Sequence, residues 1–284
     1  MAEIISGRDI ATKIIETDLI PRVNKLKANG IIPKLVVILV GEHPASASYV
    51  RQKEIFAERA GIISEVRRFP DTVSEADVLS ELDEIMAHTM IHGVIVQTPL
   101  PDHIDVEKVL SKITPEKDVD GWTAENMGLL TRGKKTLESC TPKGIIRLID
   151  EAGTEISGAN AVVIGRSNIV GKPVSLLLLN RGATVTTCHR GTKDVNFFLK
   201  QADIVVVAVG KIGILRGEQL KLGCTVIDVG INRNQEGKLV GDVDFESAEK
   251  VAGKITPVPG GVGPMTVVSL IENTIEAAEA VSRQ

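Results

Sequence analysis

Six stretches of the chain are rich in apolar, β-branched residues, and helical spacing separates them. KLVVILV (34–40), GVIVQ (93–97), AVVIG (161–165), TVTTC (184–188), DIVVVAVG (203–210) and CTVIDVG (224–230) read as strands. Most are continuous apolar runs, the mark of strands buried on both faces of a parallel sheet. The spacing predicts helices over 46–60, 74–88, 142–152, 170–181 and 194–201, with a last one over 265–282. Strand and helix in alternation, joined by right-handed crossovers, give an α/β fold. Residues 111–141 carry Gly, Pro and charge without a long apolar run. The junction between two α/β domains is therefore expected near residue 140.

Composition narrows the function classes. The 284 residues suffice for two domains with sizeable cores. A net charge of −4 argues against broad nucleic-acid binding, which needs a basic surface. Aromatics are only 2 %, so stacking platforms for single strands are scarce. Cys140, Cys188 and Cys224 form no CxxC pair, and the five histidines form no HxxxH or HExxH pattern, so no metal site is expected. An odd count of widely spaced cysteines suits a reducing compartment. The first twenty residues are amphipathic and contain acids, unlike a signal or transit peptide. No apolar run approaches the ~20 residues of a membrane span. A cytoplasmic protein without membrane or nucleic-acid partners is expected.

Four loops and one helix carry candidate chemistry. In YVRQK, Tyr49 and Lys53 stand four residues apart and share a helix face. That spacing also suits a lysine snorkelling beside a half-buried aromatic. In AVVIGRSNIVGKP a strand ends at Gly165, a polar loop holds Arg166 and Ser167, and Gly171 opens a helix. Such a unit turns backbone N–H groups toward phosphate, although the spacing is not GxGxxG and a structural turn would read the same. The next strand ends in His189-Arg190 and not in the carboxylate that binds an NAD ribose. Arg166 and Arg190 lean the site toward a 2′-phosphate, hence NADP with NAD as the second choice. GVIVQTPLP brings Gln97 out of a parallel strand at its carboxyl end, followed by Thr98 and Leu100. KDVDG offers two aspartates ahead of a glycine turn, and Asp120 could be a helix or turn cap or a charge held near a cationic site. PGGVGPMT supplies a stiff, glycine-rich loop able to approach a flat ligand.

In order and together, YVRQK, GVIVQTPLP, EKDVDG, GRSNIVGKP and PGGVGPMT resemble the bifunctional methylenetetrahydrofolate dehydrogenase/methenyltetrahydrofolate cyclohydrolase family. The resemblance runs from SGRDIA near residue 6 to the last helix. It implies two α/β domains flanking a cleft: a folate-binding catalytic domain of 1–140 plus 265–284, and a Rossmann-type NADP-binding domain of 141–264. It implies oxidation of 5,10-methylenetetrahydrofolate with NADP and hydrolysis of the methenyl product to 10-formyltetrahydrofolate, in the one-carbon metabolism that serves purine biosynthesis. It also implies a homodimer formed largely through the cofactor domains. By motif position, Lys53 is the central group of the cyclohydrolase step, Gln97 holds it, Tyr49 orients the folate and Asp120 binds the pterin. Leu100, Pro259 and Gly263 line the substrate site. Gly165, Arg166, Ser167, Arg190 and Ile231 hold the cofactor.

The chemistry suits those residue types. Water attack on a methenyl cation releases a proton and needs a base. A free lysine, of pKa ~10.4, is protonated at neutral pH, and desolvation lowers that value. A neutral Gln97 orients the amine without stabilising its charged form as a carboxylate would. An ionised Asp120 only accepts hydrogen bonds, matching the donor-rich edge of a reduced pterin. Two positions depart from the family pattern. Thr98 stands where leucine is common, which bears on folate packing, and CHRGT replaces CHSxT, so that Arg190-Gly191 bears on cofactor preference. A dehydrogenase lacking the cyclohydrolase step, a different dehydrogenase with a similar cofactor domain, and a non-catalytic dinucleotide sensor are the rival readings. Only the bifunctional one uses every motif.

Overall fold

A computed structural model of the chain describes residues 1–41 and 44–282, with side chains in the third helix from Val50 onward. β1 (Glu3–Ile4) and α1 (Gly7–Ile14) run through a π-helical turn at Ile15–Leu19 into α2 (Ile20–Ala28). Then come β2 (Lys34–Val40), α3 (Pro44–Ala60), β3 (Ile63–Phe69), α4 (Glu75–Ala87), β4 (Gly93–Gln97), α5 (Val106–Ser111) and α6 (Ala124–Thr131). α7 (Cys140–Glu151), β5 (Asn160–Ile164), α8 (Gly171–Asn180), β6 (Thr184–Cys188), α9 (Val195–Leu199), β7 (Ile204–Val207) and β8 (Thr225–Asp228) follow. The chain closes with a small hairpin of β9 (Asn232–Arg233) and β10 (Leu239–Val240), then α10 (Phe245–Ala248), β11 (Lys254–Ile255) and α11 (Val262–Val281).

The chain divides into two compact units. One is Lys13–Cys140 with Val267–Gln284, the other Met1–Thr12 with Thr141–Thr266. In the first, a parallel sheet of order β3-β2-β4 is centred on β2, six of whose seven residues are buried. Val36, Ile38 and Val40 pack with Val78, Leu82 and Ile85 of α4 and with Val94 and Val96 of β4. Burying a side chain of this size contributes about 1.5–3 kcal/mol. The second unit holds a six-stranded parallel sheet of order β1-β11-β8-β7-β5-β6. Numbered by appearance from β5 to β11, it reads 2-1-3-4-5, a doubly wound order with its switch point between β5 and β7.

Three features depart from the sequence expectation. β3 was not expected, because ISEVRRF alternates charge with apolar residues where a buried run was sought. It is an edge strand, and its charges pair: Lys34 with Glu65 at 2.5 Å, and Arg67 with Glu65 at 2.9 Å. α6 lies inside the stretch expected to be irregular. Thr123 caps it by accepting from the Asn126 N–H, and Leu130 is buried. Finally, 1–140 is not one block. β1 pairs with β11 in parallel, so the first twelve residues belong with the six-stranded sheet.

In the first unit, Asn273 on α11 is fully buried, and its Nδ2 donates to the carbonyls of Val119 at 2.9 Å and Glu138 at 2.7 Å. Arg22 on α2 grips Glu279 with two hydrogen bonds of 2.9 and 3.1 Å. The last helix therefore anchors the 119–139 segment. Asn273→Ala would leave two carbonyls without this donor, and should cost about 1–3 kcal/mol, read as a lower urea midpoint.

Candidate active site

Lys53 lies on α3 and Gln97 ends β4, both half-buried. The Lys53 amine donates to Gln97 Oε1 at 3.0 Å, while Gln97 Nε2 donates to the Thr98 carbonyl at 3.0 Å. The amide is thus held at both ends. Leu100 packs against the β2–α4 core from the loop beyond. Tyr49 falls on the backbone of α3, and its side chain lies outside the described residues.

The two aspartates of KDVDG have different surroundings. Asp118 is buried, and its carboxylate accepts from the N–H of Gly121 at 2.9 Å, the N–H of Thr123 at 2.7 Å and Asn126 Nδ2 at 2.9 Å. Asp118 also bridges to Val94 in parallel. The chain then turns over 118–121, closed by the Gly121 N–H on the Asp118 carbonyl at 3.1 Å. Gly121 completes the turn at φ +70°, and a Cβ there would come within 2.5 Å of the Glu138 and Ser139 backbone. Desolvation raises the Asp120 carboxyl above the ordinary carboxylate range. The Lys53 charge pulls it down, Asp118 pushes it up, and a hydrogen bond from Cys140 pulls it down again.

In the other unit the expected cofactor residues gather at the carboxyl ends of the strands. Gly165 follows β5 at φ +127°, and a Cβ on it would strike the Ala208 carbonyl oxygen at 2.3 Å, at the β5/β7 switch point. Ser167 Oγ accepts from the N–H of Val170 at 3.2 Å and of Gly171 at 3.3 Å, shaping the entry to α8. The Gly165 N–H donates to the Cys188 carbonyl at 2.9 Å, which sets the ends of β5 and β6 side by side. Arg190 and Gly191 form the tip of a turn closed by the Thr192 N–H on the His189 carbonyl at 2.8 Å. Arg166, Ser167, Arg190 and Ile231 are exposed. No carboxylate follows β6 before Asp194, and two guanidinium groups stand at the strand ends, a donor set that fits a phosphorylated dinucleotide.

Pro259 is exposed and Gly263 half-buried in this unit's PGGVGP turn, and a Cβ on Gly263 would meet nothing within 4 Å. Three groups that shape these loops escaped the sequence reading: Asn273, Asp228 and Asp242. Asp228 ends β8 ahead of Gly230, which is the signal that could have marked it. Nothing local marks the other two. Among the described residues no group of His, Cys, Asp and Glu could hold a metal ion.

Fold and site together define an α/β protein of two units, one built to hold a dinucleotide and the other presenting a Lys-Gln-Asp set at a strand end. The catalytic-domain model of tetrahydrofolate dehydrogenase/cyclohydrolase matches residues 5–120, and the family's NAD(P)-binding-domain model matches 139–282. The bifunctional protein FolD of Exiguobacterium sp. is 52 % identical over 278 residues, covering 98 % of this chain and 99 % of that protein. The bifunctional FolD dehydrogenase/cyclohydrolase of Campylobacter jejuni superposes with a TM-score of 0.96 at 42 % identity, covering 99 % of this chain and 100 % of that one. The Trypanosoma brucei enzyme, solved with NADP and an inhibitor, gives 0.93 at 39 %, covering 100 % and 99 %. This chain belongs to the tetrahydrofolate dehydrogenase/cyclohydrolase family.

The contrast between the two aspartates is testable by denaturation. Asp118→Ala strands three donors and should cost about 2–4 kcal/mol. Asp120→Asn should leave stability at pH 7 unchanged or higher. A carboxyl whose folded pKa lies above its unfolded value costs stability when ionised, and that cost disappears as pH falls below the unfolded value. Any gain in Asp120→Asn should therefore fade in acid. A loss at pH 7 matching that of Asp118→Ala would refute the assignment.

Proposed function

We propose that this chain catalyses two consecutive steps on a one-carbon tetrahydrofolate: NADP-dependent oxidation of 5,10-methylenetetrahydrofolate to the methenyl cation, then hydrolysis to 10-formyltetrahydrofolate. The observation that carries the reading is the Lys53–Gln97 hydrogen bond of 3.0 Å in a chain that matches both domain models of the family. A dinucleotide-binding sensor has no use for that pair.

In the hydrolytic step water adds to the cationic carbon and Lys53 takes the proton released; the bond from that carbon to N5 then breaks as N5 takes up the remaining hydroxyl proton, leaving the formyl group on N10. Gln97 fixes the amine through a neutral contact. Asp120 accepts from the pterin's N–H edge, and Leu100 lines the folate site in the same unit. In the oxidative step Gly165 keeps the switch point open to the dinucleotide, Arg166, Ser167 and Arg190 bind its phosphates, and Ile231 packs against it. The bound cofactor supplies hydride acceptance, so the chain's part is alignment. The catalytic role belongs to the unit carrying Lys53, and dinucleotide binding to the unit carrying Gly165.

A homodimer through the cofactor unit accompanies this reading. β6 lies at the edge of the six-stranded sheet, and Leu179 and Phe197 on the helices flanking it are 56 % and 61 % exposed, which supports it. A monomer mass in sedimentation equilibrium would remove it. Among the described residues no helix is long and apolar enough to cross a membrane, and a cytoplasmic location is proposed. Recovery of the native protein with membranes on cell fractionation would count against that location.

With methenyltetrahydrofolate as substrate, Lys53→Ala should reduce hydrolysis by about 10²–10⁴-fold and leave NADP affinity near normal. Surviving turnover would refute the role of Lys53. Arg190→Ala should raise the KM for NADP about tenfold and leave that for NAD unchanged. Equal changes in both would mean that Arg190 does not read the 2′-phosphate.

A further inference from the structure

Asp228 and Asp242 lie buried at the ligand end of the six-stranded sheet, 3 % and 0 % exposed. They interlock with two glycines. A Cβ on Gly241 would fall 1.8 Å from Asp228 Oδ2, and one on Gly230 would fall 2.2 Å from Asp242 Oδ1. Asp242 is the acceptor for two loops at once. Its Oδ2 takes the N–H of Val209 at 2.8 Å and of Gly210 at 2.9 Å. Its Oδ1 takes the N–H of Lys211 at 2.8 Å and Asn232 Nδ2 at 2.9 Å. Asp228 in turn accepts from the N–H of Gly230, Asp242 and Val243, at 3.0, 2.9 and 3.0 Å. Burial pushes the Asp228 carboxyl up to about 6; those three N–H groups act against the shift and the Asp242 charge adds to it.

The placement points to a ligand as well as to the core. Val209–Lys211 follows β7 on one side of the switch point, and Gly230–Asn232 follows β8. Both segments run past the carboxyl ends of parallel strands, where doubly wound sheets meet their ligands. Their backbone is clamped, yet Val209 and Ile231 remain 41 % and 49 % exposed. A rigid backbone presenting uncovered aliphatic side chains suits the flat ring of a dinucleotide.

We propose that Asp242 is a positioning residue for the dinucleotide: one buried carboxylate sets the loops after β7 and β8 together, and so fixes cofactor affinity without touching the cofactor. This rests on the dinucleotide reading above. In Asp242→Asn an NH2 group must face two of the four donors, whichever way the amide turns.

The test titrates NADPH into the full-length protein by fluorescence and follows amide hydrogen exchange at 209–211 and 230–232. In Asp242→Asn, NADPH should bind about 10–100-fold more weakly, with faster exchange at those amides. The dehydrogenase KM for NADP should rise while kcat at saturating NADP falls less than threefold. Unchanged NADPH affinity would overturn the proposal, as would equal loss of kcat and kcat/KM. Should Asp242→Asn fail to fold, Asn232→Ala, which deletes one of the four donors, decides: weaker NADPH binding supports the role and parental binding overturns it. A parent chain that binds NADPH but does not oxidise methylenetetrahydrofolate would remove the functional reading and leave this one standing.

Discussion

Loops at the ligand end of a parallel sheet must find acceptors for N–H groups that no further strand will pair. In this chain buried carboxylates meet much of that need. Asp118 takes three donors, Asp228 three and Asp242 four, and all three side chains are at most 3 % exposed. Each carboxylate replaces lost water with several oriented N–H dipoles, the condition under which a charge can be buried. The loops they hold can then be short and still display side chains outward. Asp120 depends on Asp118 in this way, and Ile231 on Asp228 and Asp242.

The same chemistry serves two ends in KDVDG. Asp118 is spent on backbone and Asp120 is left to a neighbouring charge, Lys53, and to a thiol. Gln97 stands between these electrostatic roles. It holds the amine with a carbonyl oxygen and is itself held by the Thr98 carbonyl. A carboxylate in place of Gln97 would compete with Asp120 for the Lys53 charge and make a tight ion pair with the lysine. A neutral partner positions the amine without that ion pair.

Much of the architecture was legible in the chain. All six expected strands start within one residue of the observed β2, β4, β5, β6, β7 and β8. Where the expected strands ran too long, at 203–210 and 224–230, the observed ones stop at Val207 and Asp228. The apolar composition continues past those points, but Asp242 takes the next amides of one loop and Asp228 takes the Gly230 amide of the other. β3 was hidden because an edge strand needs apolar cover on fewer sides, so its charges broke the run. α6 was hidden because a two-turn helix is too short for its period to stand out.

The amino-acid sequence alone determined the alternation of strand and helix, the break near residue 140, and the placing of Lys53 on a helix, Gln97 at a strand end and Asp120 in a turn. These follow from short-range rules: side-chain period, proline and glycine placement, and composition of a few consecutive residues. Tertiary structure decided which aspartate of KDVDG is a structural acceptor, where β7 and β8 end, and that the first strand joins the last. Those outcomes rest on partners far apart in the chain. Val209 meets Asp242 across 33 positions, and Asn273 reaches Val119 across 154. No local spacing encodes a hydrogen bond over such a separation; packing of the sheets and of α11 brings the donor to its acceptor.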